Sequence, residues 1–221
     1  MHLALILSLL AGATTAFSTN PLDQQDPAPS PPADEIQLAS VVFAGSGCPA
    51  GSVSGNISPD PTKITLAYDY LTAQTGRNIT AANSRKNCQL NIKLKHSAGW
   101  HFSVSKTSYR GHARIPAGTN GTARATYYFS GESGQATSTV IIPGPYDGEF
   151  LKTDEFSLGT IWSPCGNEGL LNINSEVRLT PTNSTQPAVL SVTSLEKVEL
   201  SWQRCVRAAP STATPSPTSA P

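Results

Sequence analysis

Three kinds of side chain in this sequence have chemistry to offer. They are the carboxylates of the run YDGEFLKTDEF, the histidines His96, His101 and His112, and the cysteines Cys48, Cys88, Cys165 and Cys205. Asp147, Glu149, Asp154 and Glu155 are close enough in sequence to supply a glycosidic acid and base or oxygen ligands for Ca²⁺. The run lacks the D-x-[DN]-x-[DN]-G spacing of a calcium loop, and a polar loop between strands explains it equally well. A hydrolytic triad needs nucleophile, base and orienting acid in contact. The nearest approach to a nucleophile elbow, SGESG around Ser133, fails the G-x-S-x-G pattern and falls in a hairpin turn. His101 and His112 would face each other if their strands were adjacent, which leaves a weak site open. His96 shares the parity of Leu90, Ile92 and Leu94 and reads as structural. No metal site and no cofactor is expected, and the balance is against an enzyme.

The cysteines are better explained by structure. Zinc sites use closely spaced ligands such as C-x₂-C, and no two cysteines here are near neighbours. Four cysteines allow three connectivities. The expected one is sequential, Cys48–Cys88 and Cys165–Cys205, which closes two loops of equal span, each opposing unfolding by about 4 kcal/mol in the loop-entropy picture. The basic flank of Cys88 would favour a reactive thiolate, but in an oxidising compartment that cysteine is bridged.

Charge balances over the chain, with 15 Lys and Arg against 15 Asp and Glu, but it is segregated along it. From Arg85 to Arg124 there are eight Lys or Arg and no acid, and from Glu132 onward nine acids meet five bases. Lys93 and Lys95 share one parity, and Arg110, His112 and Arg114 share another; with His101 they form the candidate binding face. If those strands were neighbours they would make a cationic surface suited to polysaccharide or another anionic surface. A solvated sheet face balanced by acids from a neighbouring strand is the plainer expectation. Nucleic acid is disfavoured because no aromatic row accompanies the bases. Trp100, Trp162, Trp202 and Tyr109 would suit sugar stacking, although Trp100 and Trp202 alternate as core residues do.

The elements that must position these groups are strands. Ile64, Leu66, Tyr68 and Tyr70 alternate with polar or small residues, as do Leu90, Ile92 and Leu94, and Trp100, Phe102 and Val104. Ala123, Ala125, Tyr127 and Phe129 lie opposite Arg124, Thr126 and Tyr128. Period-two alternation buries one face and wets the other, the habit of antiparallel sheets. Further strands are expected at 137–142, 172–179 and 198–203, with turns at SAG before Trp100, PAGTNG, SGESG and PGP. The one helical candidate, TAQTGRNITAANSR, lacks an apolar stripe. The expected fold is all-β, a single antiparallel β-sandwich, jelly-roll-like, stabilised by two disulfides.

Both ends read as processing and solvation. Residues 1–18 carry a short apolar run followed by small residues, the pattern of a signal peptide, too short to span a bilayer. Residues 19–35 form a Pro-rich leader and 207–221 a Ser/Thr/Pro-rich tail, both too poor in apolar residues to fold. The folded domain is expected at 36–206. Sequons at Asn56, Asn78, Asn120 and Asn183 are glycosylation acceptors if they are exposed in a secretory lumen. Asn120 and Asn183 are the best placed, because Gly and Pro mark their loops. A secreted, extracellular protein follows.

The segments GSGCPAGSV (45–53), RKNCQLNIKL (85–94), GWHFSV (99–104), SYRGHARI (108–115), YYFSG (127–131), WSPCG (162–166) and SWQRC (201–205) together resemble the DUF4360 family. These are small secreted proteins, frequent in fungi, with no assigned activity. The resemblance runs from about Val41 to Cys205 and takes in all four cysteines. It implies a cysteine-bonded, β-rich extracellular domain and supplies no catalytic residue. The function expected is extracellular binding at a cell wall or host surface; the alternative is a hydrolase of unrecognised type acting on polysaccharide.

Overall fold

In the computed structural model, residues 30–155 and 161–206 are described. The expected signal peptide, the leader up to residue 29 and the tail from 207 lie outside them. The alternation seen in the sequence sets the strands. In β6 (Asn120–Phe129), Ala123, Ala125, Tyr127 and Phe129 are buried while Arg124 stays in water. Nine further strands accompany it among the described residues: β1 (Gln37–Ala44), β2 (Val53–Ile57), β3 (Lys63–Tyr68), β4 (Thr72–Thr75), β5 (Arg85–Ile115), β7 (Gln135–Pro143), β8 (Tyr146–Glu155), β9 (Gly166–Thr180) and β10 (Ala188–Arg204). All pairings are antiparallel.

The topology turns on β5, whose 31 residues serve two layers. Its first part, Arg85–Lys95, lies between β1 and β9, and β6 and β7 continue that layer beyond β9. Its second part, Trp100–Ile115, lies beside β10 and is flanked by β8 over Lys106–Ile115; β4, β3 and β2 extend the layer beyond β10. Side chains cross from one layer to the other, which makes the sheet a sandwich. Tyr68 of β3 meets Ser175 of β9 at 2.9 Å, and Thr107 of β5 meets the Tyr127 hydroxyl of β6 at 2.8 Å. The Tyr109 hydroxyl donates to the Ser138 carbonyl of β7 at 3.4 Å. Burial raises the pKa of all three tyrosines, so the hydroxyls stay neutral and bonded within the core.

Three local expectations are corrected. The SAG segment was expected as a turn between two strands, but Ser97–Gly99 is a bend inside β5. Lys95 pairs with Glu168 and Trp100 with Gly166, so β5 spends five residues where β9 spends two. Gly99 takes φ +82° there, in the left-handed region that suits glycine. The bend sends the strand to the other layer and does not fold it back on itself. The acidic run expected as a loop is the edge strand β8, which buries Phe150 alone and so shows almost no apolar signal. Tyr70 lies beyond the end of β3 and is exposed. The segment TAQTGRNITAANSR forms β4 and a 3₁₀ turn at Ala81–Ser84, with no α-helix.

The cysteines join Cys48 to Cys88 and Cys165 to Cys205, with Cα separations of 5.4 and 5.9 Å. The first bridge is buried and ties the loop before β2 to β5; Cys165 of the second is exposed.

His96 sits at the mouth of the core, with Phe102 at 5.9 Å and Trp202 at 5.1 Å between ring centres. Its Nδ1 lies 3.0 Å from the Ser97 carbonyl and its Nε2 has no hydrogen-bond partner among the described residues. Burial holds its pKa below the ordinary histidine value, against weaker opposing pulls from the Ser97 carbonyl and Glu168. The unfolded chain takes up this proton near pH 6.5, before the folded chain does. Stability from this residue is therefore whole above about pH 6.5 and declines as the pH falls through the window below it. His96→Phe should flatten the dependence of urea midpoints between about pH 7.5 and 5.5. Identical slopes for the variant and the parent would refute the assignment.

Candidate functional site

The six residues of the expected binding face do not form one surface. Lys93 and Lys95 lie on the outer side of the β1–β5–β9–β6–β7 layer, whereas Arg110, His112 and Arg114 lie on the outer side of the other layer. The bend in β5 separates them. His101, near the bend, stacks on Trp162 at 4.6 Å, so it neither faces His112 nor joins the bases. Most of these bases are also neutralised. Arg110 holds Glu196 through two hydrogen bonds, of 2.5 and 3.2 Å, which raise the arginine's pKa and lower the glutamate's. Arg114 donates to Asp147 at 3.1 Å, with His112 4.0 Å from the same carboxylate. Lys93 meets Glu168 at 2.9 Å, and that bond lowers the Glu168 pKa. Exposed pairs of this kind contribute about 0–1 kcal/mol; the main effect of those made by Arg110 and Arg114 is to cancel the field of the outer β5–β8–β10 face.

Three of the four carboxylates of β8 are similarly engaged one by one, and Glu149 stands beside Arg110 on the same face without a side-chain bond of its own among the described residues. Asp147 serves Arg114, Glu155 meets Lys106 at 2.7 Å, and Asp154 accepts the Thr139 N–H at 3.2 Å. A cavity of about 420 Å³ beside Asp147 is lined by Arg114, Tyr146 and three prolines and holds no second carboxylate. Trp100, Trp202 and Tyr109 are core residues, with Arg204 lying 4.2 Å over the Trp100 ring. Trp162 and His101 line a cavity of about 350 Å³ with Glu132 and Ser163. The Ser163 hydroxyl there is committed, accepting from the Phe102 N–H and donating to the Pro164 carbonyl. Among the described residues no three His, Cys, Asp or Glu side chains gather to hold a metal ion.

The outer side of the β1–β5–β9–β6–β7 layer is different. Its registers place Asn91, Asn172, Tyr128 and Gln135 in one row across four strands, and Gln89, Asn174, Thr126 and Thr137 in the next. A third row runs Asn87, Glu176, Arg124 and Thr139. A groove of about 290 Å³ opens along these rows, lined by Gln89, Asn174, Thr126, Tyr128 and Gln135, with Arg85, Arg124 and Glu176 at one end. Asn172, in the first of these rows, is nearly fully buried and ties the strands together. It accepts from Asn91 and donates to the Ser130 hydroxyl at 3.0 Å and the Tyr128 carbonyl at 3.4 Å. Arg85 donates to Glu176 at 2.8 Å. An amide carries donors and an acceptor together, so this surface can answer either polarity of a hydroxyl, and the Tyr128 ring adds an apolar plane.

Sequence reasoning passed over this groove, although one signal was present. Arg124, Thr126 and Tyr128 share the wet parity of β6. Gln89 and Asn174 join them only through strand pairing.

All four sequon asparagines are exposed. Asn78 follows β4, Asn120 opens β6 opposite Thr180, and Asn183 lies between β9 and β10, so these three stand at one end of the sandwich. Asn56 stands apart on β2.

A family model described as a domain of unknown function (DUF4360) matches residues 34–205. An uncharacterized secreted protein of Arthroderma benhamiae is 40% identical over 182 residues, covering 80% of this chain and 74% of its own. Among solved structures, TmCBM61 in complex with β-1,4-galactotriose overlaps 76% of this chain and 90% of its own, at 8% identity and a TM-score of 0.29. The enzymatically active domain of tailspike protein 4 of bacteriophage CBA120 overlaps 74% of this chain and 20% of its own, at 10% identity and a TM-score of 0.25. Overlaps as shallow as these two carry no argument about ligands.

Proposed function

The chain belongs to the DUF4360 family, and from that premise we propose that this secreted protein binds polysaccharide, without chemistry of its own, along the groove of β5, β9, β6 and β7. The observation that carries the proposal is the groove itself, with Gln89, Asn174, Gln135 and Thr126 around the Tyr128 ring. Glycans present hydroxyls that donate and accept, and ring faces that pack on aromatics; an open strip of amides beside one tyrosine answers both needs. Disulfide bonding suits an extracellular ligand of this kind. N-glycosylation of the four sequons is part of the proposal. Tyr128 lies eight residues along β6 from Asn120, about 26 Å at strand rise, so glycans at the Asn78, Asn120 and Asn183 end would leave its part of the groove open.

The test is retention of the secreted full chain on insoluble glucan, chitin and acidic polysaccharides. Tyr128→Ala and Asn174→Ala should each weaken binding at least about tenfold, equivalent to about 1.4 kcal/mol. Tyr70→Ala, at an exposed tyrosine away from the groove, should leave it unchanged. Failure to be retained on any of these polymers, or equal retention of Tyr128→Ala, would sink the proposal.

A further inference from the structure

We propose that the groove selects acidic polysaccharide, holding a carboxylate or sulfate of the sugar chain on Arg124 and Arg178. This deepens the polysaccharide-binding reading and rests on it. The register sets Arg85 directly opposite Arg178 and Arg124 directly opposite Glu176, on the same outer face. Glu176 is committed to Arg85, which it meets at 2.5 and 2.8 Å. Arg124 and Arg178 are both exposed and form no ion pair among the described residues. Like charges directly opposite one another destabilise a sheet, and here three guanidiniums surround a single carboxylate.

The imbalance extends over the strands of this face. Lys93 and Lys95 stand nearer the bend with Glu168, which makes five bases against two acids in all. On the opposite layer Arg110 and Arg114 each have a carboxylate of their own. The cationic surplus therefore lies on the face that carries the groove, with Arg85 and Arg124 in the groove's lining and Arg178 beside it by register. A guanidinium fork matches carboxylate and sulfate geometry. Arg124 and Tyr128 lie four residues apart on one strand, about 13 Å at strand rise, so an anion at the arginines leaves neighbouring sugar units for the amides and the ring. Single-stranded nucleic acid would call for a succession of stacking aromatics, and the lining of this groove carries one.

The experiment measures the affinity of the secreted full chain for two matched pairs. Polygalacturonate is set against its carboxyl-reduced form, and dextran sulfate against dextran, each at about 50 and 300 mM salt. We expect at least one acidic polymer to bind tenfold or more tightly than its neutral partner, with the ratio shrinking in high salt. The pair that shows the ratio identifies carboxylate or sulfate as the group held. The Arg124→Gln/Arg178→Gln variant, checked for an unchanged melting temperature, should lose that ratio while keeping whatever affinity the neutral polymer has. Equal affinity within both pairs overturns the acidic selectivity and leaves the groove reading intact. No binding to any polymer, while anionic vesicles are bound, overturns both.

Discussion

Gly111→Ala should cost the fold about 3 kcal/mol or more and lower the melting temperature by about 6–12 °C. Gly111 pairs with Val192 of β10 on one side and Phe150 of β8 on the other. A Cβ at this position would stand 2.0 Å from the Ser191 carbonyl oxygen and 2.8 Å from Cζ of Phe150. The carbonyl belongs to the backbone, so relief requires the β5–β10 ladder to move, and that ladder carries Leu190, Val192 and Leu195 into the core. The Phe150 ring fills the space a side chain would take, which is why glycine separates Arg110 from His112. Gly166→Ala is the control. Its Cβ would meet nothing closer than 3.7 Å, and its melting temperature should stay within about 2 °C of the parent. A Gly111→Ala protein melting with the parent would mean that this crowding is absorbed without cost.

Much of the core was legible from alternation alone. Leu90, Ile92 and Leu94, then Trp100, Phe102 and Val104, are buried as their parity required. The path of the chain between those two runs was not legible. Ser97–Gly99 has the composition of a turn, and only the partners of Lys95 and Trp100 reveal a bend that changes layers. Strand β8 escaped notice for the opposite reason. An edge strand with one buried side chain has polar residues on both parities and reads as a loop.

Charge is instructive in a different way, since the balancing acids expected from neighbouring strands are the ones that pairing supplies. The basic run from Arg85 to Arg124 offered either a cationic face or one balanced by neighbouring acids, and antiparallel pairing sets it against strands from the acidic half of the chain. Glu168, Glu196 and Asp147 come from β9, β10 and β8, far along the sequence, and each meets a base of β5. Segregation along the sequence becomes interleaving in space. The surplus survives at Arg124 on β6, the last base of that run, and at Arg178 on β9, which lies far beyond it in the chain. Their grouping depends on the order β5–β9–β6, which residue types alone do not specify.

Removing the Cys48–Cys88 bridge should cost more than removing Cys165–Cys205, although both close loops with a sequence separation of 40. Equal, non-overlapping loops mean an equal entropic contribution of about 4 kcal/mol each, or about 8–16 °C in melting temperature. Any difference between the two double alanine variants therefore reports what the bridges do in the folded state. Cys48 and Cys88 are 2% and 0% exposed, so Cys48→Ala/Cys88→Ala removes two sulfurs from the interior and leaves a void. It also loosens the loop that hydrogen-bonds to Asn87 through the Gly47 N–H at 2.8 Å and the Ser46 hydroxyl at 3.2 Å. Cys165 is exposed, and alanine there opens no interior space. We expect Cys48→Ala/Cys88→Ala to lose about a further 1–2 kcal/mol relative to Cys165→Ala/Cys205→Ala in urea unfolding. Equal losses would show that the buried bridge acts on the unfolded chain alone. A larger loss for Cys165→Ala/Cys205→Ala would place the weakest part of the fold where β9 begins and β10 ends.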